Sequence, residues 1–382
     1  MKIAYITNKL GTVSETFISD LIFELHKTAE IYIFCKQVTD PSQYDKVYRI
    51  KKAEWLLNKF ILIDKILSSL IKSDLCLYYK ISSFFYKKAF KKLKPDIVYI
   101  EFGLNAAEYV DALDDLGMPF IVHFHGLDIT SSLSNQCYRK YLSNVFTSAK
   151  AVIAASHHIK RLLILEGCEE NKVNVIRLGI SVGNTIQPIE WKNKNQEIYQ
   201  LCFLGRLTPK KSPKALILTF KKICKTISNI QLSIIGDGEE KADIVEMIQK
   251  FNLENKVKVY GEIPKNQAMK ILNTCHVCLQ HSVTPVNGDQ EGWALSISEA
   301  SLLGIPVVST IHGGITENVI DGQTGFLVPE YNYEAMAQKV IYLLKNPRIA
   351  EMMGKAGRDR FRNTPEFTTY YRAKKIYEIC KT

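Results

Sequence analysis

The chain has 382 residues, of which 46% are hydrophobic and 23% are charged. These are the proportions of a folded globular protein, and they exclude collagen-like, mucin-like and wholly disordered chains. The length favours two domains, and the net charge of +11 raises the question of an anionic partner.

The nine cysteines are dispersed along the chain and show no disulfide framework. An odd, scattered set in a chain of this length is typical of reduced thiols in the cytoplasm. Cys275 and Cys278 form one C-x-x-C pair, but no second pair or neighbouring histidine pair completes a zinc site. We therefore expect free thiols throughout.

The N-terminal apolar run is short and soon interrupted, so no signal peptide is predicted. No apolar stretch reaches the length of about 18 residues that a spanning helix needs. The expected location is the cytoplasm.

Short apolar runs alternate with longer helical patterns along the whole chain. Runs such as Ile97-Val-Tyr-Ile100 are apolar at every position, as expected for strands buried on both faces of a parallel sheet. The alternation predicts an α/β architecture. Strands are predicted at 2–7, 30–35, 96–101, 119–124, 150–155, 173–177, 199–204, 231–235, 256–260, 276–280, 305–309 and 325–328. Helices are predicted near 15–27, 105–116, 138–148, 157–166, 213–227, 240–252, 264–274, 296–303, 333–346, 348–362 and 367–380.

The turn after the first strand contains Gly11 and lacks G-x-G-x-x-G, which counts against a nicotinamide dinucleotide site there. Ser14 and Phe17 are typical of a helix cap and the first apolar position of that helix.

Residues 46–95 hold twelve Lys and one Arg against three acidic residues, which is nearly all of the excess charge. Aromatic residues are interleaved with these cations at helical spacing. This pattern suits contact with an anionic membrane surface, and it equally suits ordinary helices with solvated lysine faces. We expect no nucleic-acid partner, since no helix-turn-helix, zinc finger or RNP-type motif accompanies the charge.

The strand at 119–124 is followed by His125-Gly126-Leu-Asp128. A histidine directly after a buried parallel strand lies where ligands bind in α/β proteins, although a structural role is an equal alternative. Residues 181–198 are polar and contain Gly, Asn and Pro, which is typical of a linker. The strand–helix pattern then restarts, so we expect the boundary between two α/β domains near 183–198.

The first strand of the second half ends at Gly205-Arg206, and Lys210 and Lys211 precede the next helix. Cations at a strand tip beside a helix N-terminus suit an anion such as a phosphate. After the following strand, Gly236 and Gly238 permit a tight turn or a close backbone approach.

Glu291 and Glu299 lie eight residues apart, with Gly292 and a predicted helix start between them. Backbone N–H groups at 294–296 would be free to bind a phosphate. Glu299, one turn into the helix, could accept hydrogen bonds from sugar hydroxyls, although a first-turn glutamate also complements the helix dipole.

Together these motifs resemble the retaining glycosyltransferase family 4, which has the GT-B fold and uses nucleotide-sugar donors. The E-x7-E element from Glu291 to Glu299 carries the resemblance, followed by Gly304-Ile-Pro306, Gly313-Gly314 and Thr324-Gly325-Phe. The block at 287–292 is similar to enzymes that build bacterial exopolysaccharide of the colanic-acid type.

The resemblance implies two Rossmann-like domains that face each other across a cleft. Residues 1–183 would bind the acceptor, residues 184–365 would bind the nucleotide-sugar, and a C-terminal helix at 366–382 would cross back to the first domain. No metal and no cofactor would be needed, which agrees with the absence of an Asp-x-Asp motif at a strand end.

The resemblance also implies roles for side chains. Arg206 and Lys211 would hold the donor diphosphate, and Glu291 would bind the donor sugar. Glu299 would bind the ribose, and His125 would lie near the reacting sugar. The catalytic set is therefore expected to be His125, Arg206, Lys211 and Glu291.

Backbone positions complete the expected donor site. Gly11 would bring its loop close to the donor, the backbone at Ile263 would meet the base, and Gly292, Ala294 and Leu295 would meet the phosphates. Gly205 and Gly236 are placed in the same site. One departure is Ser212, where the family usually has Gly.

The leading hypothesis is a hexosyltransferase that extends a lipid-linked bacterial surface polysaccharide from a UDP- or GDP-sugar, in the cytoplasm or at the inner face of the membrane. Departure of the nucleoside diphosphate would be assisted by prepositioned cations. The alternatives are an epimerase or phosphorylase on the same fold, and a non-catalytic nucleotide-sugar-binding component of an assembly complex.

Overall fold

A computed structural model describes residues 1–12, 15–49, 76–181 and 187–382. They form two compact units, the first comprising 1–177 with 369–382 and the second comprising 178–368. The predicted domain boundary between residues 183 and 184 lies outside the described residues, as does the part of the basic segment at 50–75.

In the first unit, seven described strands form one sheet in the order β3-β2-β1-β4-β5-β6-β7. Every described pairing between neighbouring strands is parallel. The strands are β1 (Lys2–Leu10), β2 (Glu30–Val38), β3 (Val47–Arg49), β4 (Ile97–Glu101), β5 (Phe120–Phe124), β6 (Ala151–Ala154) and β7 (Val173–Val175).

Helices connect these strands and cover the sheet. They are α1 (Thr16–His26), α2 (Leu77–Leu93), α3 (Gly103–Asp115), α4 (Gln136–Ser148) and α5 (His157–Leu165), joined by the C-terminal α13 (Thr369–Lys381). Strands β4 and β5 are buried at every position, as their unbroken apolar runs predicted. Helix α13 packs on α1, which confirms that the C-terminal helix returns to the first unit.

In the second unit, six of the described strands form a parallel sheet in the order β10-β9-β8-β11-β12-β13. Its strands are β8 (Tyr199–Leu204), β9 (Ile230–Ile235), β10 (Val257–Gly261), β11 (Val277–Gln280), β12 (Val307–Thr310) and β13 (Gly325–Val328). Its helices are α6 (Pro213–Cys224), α7 (Lys241–Lys250), α8 (Lys265–Thr274), α9 (Leu295–Leu302), α10 (Ile315–Asn318), α11 (Tyr333–Lys345) and α12 (Pro347–Asn363).

This second sheet is covered on both faces because its side chains alternate along each strand. Leu201 and Phe203 of β8 belong to the apolar cluster beneath α6 and α11, whereas Cys202 belongs to the cluster beneath α9. The α/β prediction is therefore confirmed in both units. Strand β3 and helices α2 and α10 come in addition to the predicted elements, and no helix among the described residues is long and apolar enough to cross a bilayer.

The cysteines depart from expectation at one pair. Cys76 precedes α2 and Cys137 lies in the first turn of α4, and the two are joined by a disulfide with their Cα atoms 5.4 Å apart. The prediction of free thiols throughout is wrong for this pair, because a separation of 61 residues does not reveal that the two helix starts meet. Cys275 and Cys278 are free and buried, as expected for a core strand.

Candidate active site

The turn after β8 carries the predicted anion-binding cations. Arg206 is exposed at the strand end, and Lys210 and Lys211 lie in a short 3-10 turn at Pro209–Lys211. Lys211 is only 9% exposed although it carries a charge. A buried ammonium group requires a partner, and the structure supplies one.

Lys211 forms an ion pair with Glu291, the Nζ and Oε2 atoms lying 2.6 Å apart. Burial alone would raise the pKa of Glu291, but attraction to Lys211 and then Lys210 outweighs burial and lowers it to about 2. The two catalytic candidates predicted from separate motifs are therefore in direct contact, and the carboxylate is charged at neutral pH.

A second ion pair joins the same two segments. Lys210 Nζ lies 3.0 Å from a carboxylate oxygen of Asp289, and the N–H of Val283 donates to the Lys210 carbonyl at 2.8 Å. The loop that follows β11 is therefore held against the turn that follows β8. The role of Asp289 was not predicted from the sequence.

Glu291 is also fixed through its backbone. Its N–H donates to His312 Nε2 at 3.0 Å, and its carbonyl accepts from the N–H of Gly314 at 2.8 Å. His312 Nδ1 in turn contacts Glu330 Oε1 at 2.6 Å. A side chain added at Gly313 would place its Cβ 2.3 Å from the Glu291 carbonyl oxygen, so this position requires glycine.

His312 and Glu330 were missed in the sequence. The signal was nevertheless present, because His312 lies just beyond the end of β12 and Glu330 just beyond the end of β13. Carboxyl ends of parallel strands meet at one edge of a sheet.

Helix α9 begins at Leu295, one residue earlier than predicted, and no side chain caps its start. The first-turn N–H groups of a helix lack intrahelical acceptors and suit an anion. The preceding Ala294 N–H is taken by Asn318 Oδ1 at 3.2 Å. The Ala294 N–H, which was predicted to contact a phosphate, therefore already donates to a protein acceptor. The predicted phosphate contact at Leu295 stays a prediction. Gly292 is buried just before this helix start.

Glu299 lies one turn into α9, as predicted, and its side chain is 15% exposed. Lys265, the first residue of α8, places its Nζ 3.4 Å from Glu299 Oε1. Ile263 is half-buried in the loop between β10 and α8. The two residues predicted to bind the nucleoside thus lie on segments joined by one ion pair.

Gly205 and Gly236 bring two turns of the second unit into contact. A Cβ at Gly236 would lie 2.0 Å from the Gly205 carbonyl oxygen, and φ of Gly236 is +136°. The close backbone approach predicted at Gly236 is therefore a contact between two turns of the protein, those of Gly236 and Gly205. A donor contact at either glycine stays a prediction.

Two further predicted residues lie in the first unit. Gly11 directly follows β1 and has φ of +80°, a conformation that favours glycine, and its contact with a donor stays a prediction. His125 follows β5. The N–H groups of His125 and Gly126 donate to Asp128 Oδ1 at 3.0 and 2.9 Å, and that of Gly103 donates to Asp128 Oδ2 at 2.9 Å.

The side chain of His125 contacts a buried carboxylate. Its Nε2 lies 2.5 Å from Glu101 Oε2. Glu101 Oε1 accepts hydrogen bonds from Tyr5 at 2.5 Å and from Arg372 of α13 at 2.7 Å. Glu101, His123 and Arg372 are fully buried. Neither Glu101 nor Arg372 was singled out in the sequence, since each is an ordinary charged residue in its own segment.

Burial alone would raise the pKa of Glu101, but attraction to Arg372 and then to His125, together with the hydrogen bonds from His125 and Tyr5, lowers it to about 2. Burial is the largest cause that lowers the pKa of His123. Glu101, His123 and His125 have ligand atoms within 4.8 Å of one another, a spacing that would suit a metal ion. Arg372 Nη2 already lies 2.7 Å from Glu101 and 3.2 Å from His123 Nδ1, so a guanidinium supplies the cation here. The expectation of no metal stays a prediction.

Comparison with known families covers most of the chain. Residues 14–183 match the family described as Glycosyltransferase Family 4, and residues 186–360 match the family described as Glycosyl transferases group 1. The colanic acid biosynthesis glycosyltransferase WcaL of Escherichia coli (strain K12), by its assigned name, is 30% identical over 218 residues, which is 57% of this chain and 53% of its own length. The amylovoran biosynthesis glycosyltransferase AmsK of Erwinia amylovora is 28% identical over 66% of this chain and 62% of its own length. The chain thus aligns with little more than half the length of these relatives.

Solved structures share the fold. HepE of Anabaena, crystallised in complex with UDP-glucose, superposes with a TM-score of 0.77 at 19% identity, covering 100% of this chain and 99% of its own. The sucrose-phosphate synthase of Thermosynechococcus elongatus superposes with a TM-score of 0.76 at 16% identity, covering 100% of this chain and 98% of its own. Identities this low support the shared architecture alone.

Proposed function

Because the chain belongs to the glycosyltransferases of family 4 and group 1, with the GT-B fold, we propose that it transfers a hexose from a UDP- or GDP-sugar with retention of configuration. The acceptor is a growing, lipid-linked bacterial surface polysaccharide. Relatives named for colanic acid and amylovoran biosynthesis support this acceptor class, and a neighbour crystallised with UDP-glucose supports this donor class.

The observation that carries the proposal is the buried Lys211–Glu291 ion pair at the end of the second sheet. The leaving nucleoside diphosphate gains negative charge as its bond to the sugar breaks, so a prepositioned ammonium lowers the barrier. Lys211 and Arg206 bind the diphosphate, with the first-turn N–H groups of α9. Glu291, held charged beside Lys211, accepts hydrogen bonds from hydroxyls of the transferred sugar.

The remaining donor contacts follow from position. Glu299 binds the ribose hydroxyls, and the backbone at Ile263 meets the base. Gly11, Gly205, Gly236 and Gly292 keep their turns free of side chains. His125, in the first unit, contacts a hydroxyl group of a substrate. No metal or other cofactor takes part.

Donor binding tests the site directly. Thermal-shift and calorimetric titration with UDP, GDP and their hexose conjugates is expected to show saturable binding to the wild type. Lys211→Met is expected to weaken that binding at least about tenfold, because a charge-assisted contact to phosphate is lost. Lys214→Met is the matched control, since Lys214 begins the same helical region and its side chain is 46% exposed in ion pairs with Glu240 and Asp243.

Undiminished donor binding to Lys211→Met, or an equal loss of binding in Lys214→Met, would show that Lys211 does not bind the donor.

Product analysis separates the alternative activities. An epimerase converts the donor without an acceptor, a phosphorylase consumes inorganic phosphate, and a non-catalytic component binds the donor without turnover.

Peripheral contact with the inner membrane face is the second part of the proposal. Helix α2 and its C-terminal end carry exposed lysines at Lys80, Lys88, Lys91, Lys92 and Lys94. Each lysine near an anionic surface contributes about 1 kcal/mol. In flotation at low salt, the protein is expected to float with phosphatidylserine-containing vesicles. It is expected not to float with vesicles of phosphatidylcholine alone. Equal binding to both lipids, or to neither, would contradict the membrane proposal.

A further inference from the structure

The ring of His125 is held on several sides. Its centroid lies 4.3 Å from that of His123, 4.6 Å from that of Phe102 and 5.3 Å from that of Phe17. Phe102 has φ of +71°, an unusual conformation for a residue with a large side chain. Such strain in the backbone persists where the surrounding structure imposes it, and it is concentrated at functional sites.

The hydrogen bond to Glu101 determines which ring nitrogen carries the proton. A charged carboxylate can only accept, so His125 Nε2 must donate. In the neutral ring, the lone pair then lies on Nδ1. This nitrogen is buried and has no hydrogen-bond partner among the described residues, and the whole side chain is 7% exposed. A buried acceptor without a partner costs about 1–3 kcal/mol, so its presence calls for a reason.

Arg372 determines how Glu101 is oriented. Its Nη2 donates to Glu101 Oε1 and to His123 Nδ1, and its Nη1 donates to the carbonyl of Phe17 at 3.1 Å. Because Arg372 and Tyr5 both donate to Glu101 Oε1, the other oxygen, Oε2, accepts the hydrogen bond from His125. The orientation of a histidine by a carboxylate is a general device of enzymes, and here a residue of the C-terminal helix anchors the carboxylate.

We propose that Glu101 and Arg372 are positioning residues that hold His125 as the Nε2–H tautomer and present its Nδ1 lone pair to a hydroxyl group of the donor sugar or the acceptor. The proposal rests on the proposed glycosyl transfer for its catalytic consequence. The tautomer itself can be measured without any substrate.

Glu101→Gln is the informative substitution because it preserves shape. Arg372 can only donate, so the amide oxygen of the glutamine must occupy the Oε1 position. The amide NH₂ then faces His125 Nε2, which has to become the acceptor, and the proton moves to Nδ1. The variant thus reverses the tautomer while leaving the ring in place.

Nitrogen-15 NMR on protein labelled at its eight histidines reads the tautomer directly. At a pH where the ring is neutral, the His125 signals, assigned with His125→Ala, are expected to show Nε2–H in the wild type and Nδ1–H in Glu101→Gln. Nδ1–H in the wild type, or an unchanged pattern in Glu101→Gln, would overturn the proposal.

Kinetics test the consequence. Glu101→Gln is expected to lower kcat by about 10²-fold, with the donor KM changed less than about threefold, as for loss of a correctly placed acid–base group. The control is Glu108→Gln, since Glu108 is another buried glutamate of the first unit, paired with Lys36 at 2.8 Å and 7% exposed. If kcat of Glu101→Gln fell by less than about tenfold, or if kcat of Glu108→Gln fell equally, Glu101 would not be a positioning residue.

Donor hydrolysis without an acceptor distinguishes the two sources of the hydroxyl. If hydrolysis falls as much as transfer, the hydroxyl belongs to the donor, and if transfer alone falls, it belongs to the acceptor. A wild type that binds no donor and transfers no sugar would refute the proposed function, while the NMR measurement would still decide the tautomer.

Discussion

His312 accepts the backbone N–H of Glu291 on Nε2, at 3.0 Å, and uses its other ring nitrogen to contact Glu330. The residue proposed to bind the donor sugar is therefore held by a neighbour 21 positions along the chain. Because a backbone N–H can only donate, Nε2 must be the acceptor, and Nδ1 carries the proton that is donated to Glu330. The position of Glu291 beside Lys211 thus depends on the acceptor at His312 Nε2.

Replacing His312 is expected to weaken donor binding. His312→Phe leaves the Glu291 N–H without an acceptor, which costs about 1–3 kcal/mol and frees the loop that carries the carboxylate. We expect a donor KM or Kd raised about tenfold, measured by steady-state kinetics and calorimetry.

A matched control exists in the same unit. His276 Nδ1 also accepts a backbone N–H, that of Gln200, at 3.0 Å. His276→Phe should therefore lose similar stability without any change in donor affinity. Equal effects of both substitutions on affinity would show that His312 acts only on stability.

Acid is expected to destabilise the first unit through Glu101. The pKa of this carboxyl is about 2 in the folded protein, against an ordinary value of 4.5. A lowered pKa means that the charged form stabilises the fold, fully above the ordinary value, and that this contribution is lost as the pH falls from about 4.5 to about 2. It amounts to roughly 3 kcal/mol.

Urea unfolding of the wild type and Glu101→Gln at several pH values measures this contribution. The stability difference between them should be largest near pH 7 and should shrink by about 2–3 kcal/mol at pH 2.5. Exposed Glu169 provides the control substitution, Glu169→Gln. A difference that does not vary with pH would contradict the assignment.

Removal of Arg372 is expected to destabilise the protein strongly. Arg372→Met leaves the buried Glu101 carboxylate without its cation, and breaking a buried pair in this way costs about 3–5 kcal/mol. The comparison is Arg139→Met, since Arg139 pairs with Glu166 at 2.9 Å but its side chain is 60% exposed. That surface pair should contribute at most about 1 kcal/mol. Thermal and urea unfolding measure both, and similar losses would mean that the buried network contributes no more than a surface pair.

Ser212→Gly is expected to stabilise the second unit. Ser212 has φ of +42° and ψ of +59°, the left-handed conformation, directly before α6. This conformation costs a residue with a Cβ about 1–2 kcal/mol, and glycine adopts it without that cost. This cost explains why glycine suits position 212. We expect Ser212→Gly to raise the free energy of unfolding by about 1 kcal/mol, measured by urea unfolding.

The control for this substitution is Lys225→Gly, at an exposed position with φ of −70°. Glycine there should lower stability, because it relieves no strain and adds freedom to the unfolded chain. A Ser212→Gly variant that is less stable than the wild type would show that the strain is compensated elsewhere.

The α/β architecture and several residues of the candidate site could be predicted from the sequence. Apolar runs such as Ile97-Val-Tyr-Ile100 predicted the buried parallel strands, because the hydrophobic period of a strand is local and can be read directly. The positions of Arg206, Lys211 and Glu291 in the second unit, and of His125 in the first, were likewise readable, since the carboxyl ends of parallel strands lie at one edge of each sheet.

Which buried charged residues contact one another could not be predicted from the sequence and is seen in the folded protein. Arg372 and Glu101 are 271 positions apart, and nothing local distinguishes either from a solvated surface residue. The Cys76–Cys137 disulfide was hidden for the same reason. Secondary structure follows from residues that are neighbours along the chain. The pairing of buried charges depends on which helix packs on which sheet, and the packing of the entire core determines that arrangement.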